Sequence, residues 1–364
     1  MLRSLLRDRW LLFLLILALV IKLFSLDPSR VERYYTYGFY PHFSAFMRIL
    51  LGWIPFSMGD ILYVTAFLLL VGKTWKLISL LAKRKVKEYL SWILFRKYLK
   101  LVLWIYIIFN LAWGLNYDRL GIASQLGLEV KKYSRDELFA LTTTLAARLN
   151  QYAAEVDTVK RERLNRKDSL FSVGVANYKG LEYRYPFLTY NHPCIKASLF
   201  SPVGHLFGFS GYLNPFTGEA QINTIEPVFV KPFVLDHEIA HQLGYGKENE
   251  ASFVSWLACR ESTDIDFRYS VYYELFFDAY IECLQTRDTA YLGPLRRSMH
   301  DRVRRDKYEE LQFRLKRKNV MEPLVSDFYN NYLKLNKQPK GLQTYNEVTA
   351  WLIAYMKKYG PAAL

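Results

Sequence analysis

The sequence predicts a mostly helical, α+β protein, with three N-terminal membrane helices ahead of a helical water-soluble domain that carries a small β-sheet. Three observations predict it. Three apolar runs fall within the first 115 of 364 residues. From about residue 118 those runs shorten and charged residues return. The C-terminal third has helical periodicity, and one stretch, 219–225, alternates as a strand does. A hydrophobic content of 51%, with 28 Tyr and 24 Phe, excludes a disordered chain.

The first run, WLLFLLILALVIKLFSL at 10–26, follows a basic start and is interrupted only by Lys22. No small-residue cleavage motif follows, so it reads as an uncleaved membrane helix and not a signal peptide. The second, 61–81, is apolar to Val71 and then carries Lys73 and Lys76, whose long stems can snorkel to headgroups. The third, 99–115, is bounded by Arg96, Lys97 and Lys100 on one side and Asn116 on the other. Arg3, Arg7 and Arg9 precede the first run, and Lys83, Arg84, Lys85, Lys87, Arg96 and Lys97 fill the second connection. The connection at 27–60 is poorer in basic residues and rich in aromatics, and its HFSAFMRILLGWI suits the membrane interface. The positive-inside rule puts the N-terminus in the cytoplasm, residues 1–117 in a membrane domain and 118–364 in an extracytoplasmic domain. This placement accounts for much of the net charge of +15. With no recognition motif beside the basic residues, nucleic acid is not the expected partner; the bilayer is.

In the second domain, Ser134 and Glu137 form a capping box ahead of a helix over 136–156. Residues 157–168 read as a charged, solvated connector, and 170–212, rich in Gly and Pro, as loops and short strands. A turn at Asn214-Pro215 leads into the strand at 219–225, which could take up an extended peptide by strand addition. Helices are expected at 267–286, 294–316 and 344–358. Cys194, Cys259 and Cys283 lack CxxC spacing and read as buried free thiols.

The chemistry concentrates in DHEIAHQLGYGKENEASF, 236–253. Residues at i and i+4 share a helix face, so His237 and His241 can point at one ion, with Glu238 beside the first. HExxH is the zinc metallopeptidase signature for that reason, and chance produces it in roughly 1 chain in 200 of this composition. A catalytic zinc takes three protein ligands and keeps one position for water. Lys247 stands where a metzincin would place its third histidine, leaving Glu248 or Glu250. A tight hairpin of the two helices sets Glu250 opposite His241. Glu248 is favoured by resemblance, since ENEAS is similar to the E-x-x-A-D of glutamate-ligand zinc proteases such as the membrane prenyl-protein proteases. Ser252 replaces the acid that supports a ligating histidine there, which leaves Asp236 or Asp264 to substitute. Tyr245, Tyr269, Tyr272, Tyr273 and His205 are candidates to steady the oxyanion.

Two functions are therefore in view. One is a zinc metallopeptidase, a hydrolase in which a zinc-activated water attacks a peptide bond and Glu238 is the general base. The alternative is a non-catalytic envelope binding or scaffold protein with a structural or vestigial zinc site. A base such as Glu238 favours the first. PFSMGDILY (55–63), LAWGLNYDR (111–119), FSGYLNPFTGEAQIN (209–223), the HExxH block and FYNNYLKLNKQPKGLQTY (328–345) resemble a family of bacterial membrane proteins known as domain of unknown function 3810. The resemblance implies a peptidase-like, glutamate-zincin (gluzincin-like) fold in the bacterial inner membrane. It supports His237, Glu238 and His241 and is silent on substrate and oligomeric state.

Overall fold

The computed structural model describes residues 8–83, 92–204, 208–319, 321–339 and 347–364. Arg3, Arg7, most of the basic connection after Lys83, His205 and residues 340–346 lie outside them.

Helix α1 (Arg9–Phe24) starts at an Asp8 cap and is followed, after a 99° bend, by α2 (Pro28–Gly52), whose segment Val31–Phe39 is wound as a π-helix. Proline at 41 has no N–H to donate, and the turn before it widens so that Tyr40 donates to the Tyr35 carbonyl instead. Helix α3 is Met58–Ala82 and α4 is Trp92–Ala112. Of the described helices, α3 is long and apolar enough to cross a membrane, and the bent α1–α2 pair passes as one broken span, which makes at most two where three single spans were expected. The differences have simple causes. Sixteen residues of α1 reach about 24 Å, short of a ~30 Å hydrocarbon core. Helix α4 starts early enough to carry Arg96, Lys97 and Lys100 within itself.

Helices α5 (Arg135–Glu155), α6 (Lys167–Leu181), α7 (Lys231–Gln242), α8 (Glu248–Arg260), α9 (Ile265–Gln285), α10 (Thr289–Ser298), α11 (Asp301–Arg317), α12 (Met321–Leu335) and α13 (Val348–Tyr359) complete the helical content. The Ser134–Glu137 capping box forms in both directions, at 3.2 and 2.8 Å. The loop reading of 170–181 is corrected: these residues belong to α6. Gly174 does not break the helix; a Cβ there would meet Leu235 Cδ2 at 2.6 Å and Asp236 Oδ1 at 2.8 Å, so the glycine admits α7. The connector at 157–168 is not wholly solvated either, because Arg161 is buried between Asp266 (3.3 Å) and Asp306 (2.8 Å). The single helix expected over 294–316 is two, parted at Met299-His300.

Strands β1 (Ile195–Ala197), β2 (Gly211–Leu213) and β3 (Ala220–Ile222) make one sheet in the order β1-β3-β2, parallel on one side and antiparallel on the other. The strand expected at 219–225 is thus shorter and central. Both of its edges are paired, so strand addition on it is excluded and the free edges belong to β1 and β2. Asn214 accepts from the N–H groups of Phe216 (3.0 Å) and Thr217 (3.2 Å), closing the β2–β3 turn. A core of α5, α7, α8, α9 and α13 side chains lies behind the sheet, and Cys194, Cys259 and Cys283 are buried free thiols. A second cluster joins Leu14, Ile21, Tyr35, Ile107 and Trp113 to Leu213 of β2.

Candidate metal centre

Helix α7 is buried along most of its length, and its C-terminal carbonyls are capped from the apolar N-terminal region. Tyr40 donates to the Gln242 carbonyl at 2.9 Å and Ser44 at 3.3 Å; Trp113 Nε1 donates to the His241 carbonyl at 3.1 Å. Arg119 donates to the Gly244 carbonyl at 3.0 Å while its other nitrogens hold buried Glu32 at 2.9 and 3.1 Å. These partners satisfy carbonyls that a helix end leaves open. Gly244, at φ +88°, then turns the chain into α8, and the two helices pack as a pair.

That turn brings three donors together. His237 Nε2 lies 3.1 Å and His241 Nε2 3.3 Å from one oxygen, Oε2 of Glu248. The three side chains are buried and offer ligand atoms that all fall within 4.8 Å of one another, the one such group among the described residues. Ligand atoms bound tetrahedrally at ~2.0–2.1 Å stand about 3.3 Å apart, so the spacing fits a zinc-sized ion. The tautomer fits as well. His241 Nδ1 is 2.6 Å from the Tyr245 carbonyl, which can only accept, so in the neutral ring Nδ1 carries the proton and Nε2 is the nitrogen left to bind. Ser252 Oγ sits 3.3 Å from His237 Nδ1, taking the supporting place that an acid holds in the compared motif.

Glu248 is held from a third direction. Its second oxygen, Oε1, accepts from the Tyr329 hydroxyl of α12 at 2.8 Å, and its N–H donates to Gln338 Oε1 at 3.1 Å. Burial would raise the Glu248 pKa, but the two imidazoles outweigh it and hold the carboxyl well below the usual range. Burial lowers His237; it lowers His241 too, yet the Glu248 charge prevails there and the pKa rises to about 9. Glu238 is 4% exposed with Oε2 unpartnered, and burial pushes its carboxyl up to about 8. A Cβ on Gly211 would meet Glu238 Cγ and Oε1 at 2.8 Å, so β2 passes directly over this carboxylate.

The other anticipated residues lie elsewhere. Glu250 faces Lys247 (3.1 Å) and Gly121. Asp236 supports neither imidazole; it accepts from Asn177 at 2.9 Å and Cys259 at 3.1 Å. Asp264 caps α9. The tyrosine candidates are spent in the core: Tyr245 on Gln125, Tyr269 on Asp306, Tyr272 on the Leu364 carbonyl and Tyr273 on Glu310. Of these, Tyr245 alone reaches the site, through its carbonyl and not its hydroxyl. Tyr329, Gln338 and Gly211 were not anticipated. The unexplained YNNYLK stretch was the available signal for the first.

Neither a curated protein nor a solved structure matches the chain. The family model described as protein of unknown function (DUF3810) matches residues 35–353, a span that takes in the α7–α8 pair, the sheet and α12. The chain belongs to that family.

Proposed function

We propose that the chain is a membrane-anchored, zinc-dependent peptidase acting on peptide or protein substrates at the outer face of the bacterial cytoplasmic membrane. One observation carries the reading: two imidazole nitrogens converge on a single Glu248 oxygen with the buried, unpartnered Glu238 carboxylate alongside. A purely structural site has no use for that fourth group. Bound zinc would supply Lewis acidity toward water and the scissile carbonyl. His237, His241 and Glu248 would hold the ion. Glu238, kept near neutrality in its proton affinity by burial, takes a proton from the attacking water and returns it to the leaving amine. Backbone pairing at 210–223 and 214–219 makes Tyr212 face β3 and leaves the peptide groups of Gly211 and Leu213 on the open edge of β2, next to Glu238. An extended substrate paired there brings its scissile carbonyl beside the water that Glu238 deprotonates.

The membrane topology is part of the same proposal. Asp8, at the start of α1, pairs with Lys100 (2.7 Å) and Arg96 (3.7 Å) near the start of α4, and Lys337 joins Ser25, past the end of α1, to Asp118, past the end of α4. The two helices therefore run parallel. Helix α3 begins at the metal-bearing domain, where Asp60 accepts from Leu199 N–H at 2.7 Å, and runs back the other way. In this proposal the short α1 and the charge-bearing α4 cross beside α3 as alternating spans, their basic residues at the headgroups, and the N-terminus lies opposite the metal centre.

The test is zinc content and hydrolysis of a peptide library by the full-length protein, wild type against Glu238→Gln. Zinc in both and turnover in the wild type alone is expected. Equal turnover eliminates the mechanism, and zinc without hydrolysis in either favours the scaffold reading.

A further inference from the structure

Helix α12 has two unlike faces. Inward, Leu333 is fully buried, Tyr329 holds Glu248, and Tyr332 accepts from the Tyr117 hydroxyl at 3.3 Å. Outward, Leu324, Phe328 and Leu335 are 65%, 75% and 85% exposed. At 100° per residue these three fall within about 40° of one another, a single apolar stripe that has Asn331 as its polar member. Two observations say what covers it. Lys337, just past the helix, donates to the Ser25 carbonyl (3.3 Å) and pairs with Asp118, so the stripe ends at the level where α1 and α4 end and their exposed apolar surface stops. Basic residues also bracket the helix: Lys316, Arg317 and Lys318 before it, Lys334 and Lys337 within and after.

We infer that α12 lies in the headgroup layer of an anionic bilayer, with Leu324, Phe328 and Leu335 in the acyl boundary, and so covers the metal centre with a lipid-seated helix. Apolar side chains enter the boundary and flanking lysines and arginines meet anionic phosphates, the division an interfacial helix uses. The inference rests on the membrane-anchored reading and not on the peptidase chemistry.

The test labels single cysteines with a fluorophore in the full-length protein, reconstituted in phosphatidylcholine–phosphatidylglycerol nanodiscs; the native cysteines are buried. Three sites are compared: Phe328→Cys on α12, Leu69→Cys at the middle of α3, and Val159→Cys, 82% exposed in the water-soluble domain. Shallow nitroxide lipids are expected to quench the 328 label roughly threefold more than the 159 label, while iodide quenches 159 more than 328. Iodide-accessible 328 that lipid nitroxides do not reach overturns the inference, and so does shielding of 328 from both quenchers, which means a protein partner. Deep nitroxide quenching at 69 separates the outcomes: its absence removes the anchored reading itself, and its presence leaves α12 alone at fault.

Discussion

Tyr329 donates its hydroxyl to Glu248 Oε1 at 2.8 Å, leaving Oε2 to the two imidazoles. A hydroxyl in that place fixes which carboxylate oxygen faces the two histidines and keeps it from swinging. Such supporting bonds contribute about 10- to 100-fold to metal affinity. Tyr329→Phe is therefore expected to weaken zinc binding about 10-fold while α12 stays packed through Leu333. Competition with a chromophoric chelator measures it, and unchanged affinity removes Tyr329 from this role.

Glu248 and Glu250 share a helix turn but not a task. Glu250 pairs with Lys247 at 3.1 Å and lies against Gly121, outside the group that His237, His241 and Glu248 form. Glu248→Gln should lose zinc under dialysis, and Glu250→Gln should retain one equivalent per chain by elemental analysis. Retention by the first and loss by the second would reverse the assignment.

Gly211 is where the sheet and the proposed base meet. An added methyl would sit 2.8 Å from Glu238 Cγ, Glu238 Oε1 and Val234 Cγ1, closer than carbon atoms approach. The carboxylate has to move, and a displacement on the order of 1 Å costs up to about 100-fold in rate. Gly211→Ala should lower kcat at least about 10-fold with zinc content unaltered. A loss confined to KM would place Gly211 in substrate pairing only.

What the sequence made legible was local. HExxH is written in one helical turn, so His237, Glu238 and His241 could be placed without a fold. The choice of Glu248 over Glu250 depends on how α8 leaves the Gly244 turn, and hairpin geometry pointed the other way. Tyr329 is 81 residues from Glu248 and came into view only when α12 packed over α8. Composition told apolar helices from charge-bearing ones, but not that Tyr40, Ser44 and Trp113 cap α7, since those are long-range hydrogen bonds. Gly174 was misread because a glycine that permits close packing looks, in sequence, like one that breaks a helix.

Glu219 ties α3 to the sheet. Its carboxylate accepts from the Gly59 and Met58 N–H groups at 2.5 and 3.0 Å and from Thr217 at 2.9 Å, a negative charge at a helix N-terminus. Gly59 leaves no room for a side chain, with Asn214 Nδ2 at 2.5 Å from a would-be Cβ. Glu219→Gln keeps the shape but loses the charge, and about 2 kcal/mol of stability with it. Thermal unfolding in detergent should show the drop against Glu261→Gln, an exposed control. Equal melting of the two variants counts against the tie.

Glu274 and Asp278, one turn apart on α9, give the protein a pH-dependent cost. Burial pushes Glu274 up to about 8, with Glu310 and Asp278 adding repulsion against the pull of Arg314 and Lys307. Burial likewise raises Asp278 to about 7, with Glu282 repelling it and Lys307 drawing it back. In the unfolded chain both ionise near 4. Between about pH 4 and 8 the unfolded state therefore sheds protons that the folded state retains, and stability falls as pH rises. Glu274→Gln is neutral at every pH and escapes its share. Its advantage over wild type should be near zero at pH 4 and grow to several kcal/mol at pH 8. Denaturant unfolding at the two pH values measures the increment. An advantage that stays flat or shrinks with pH would mean that Glu274 is ionised in the folded protein, with Arg314 and Lys307 holding its charge.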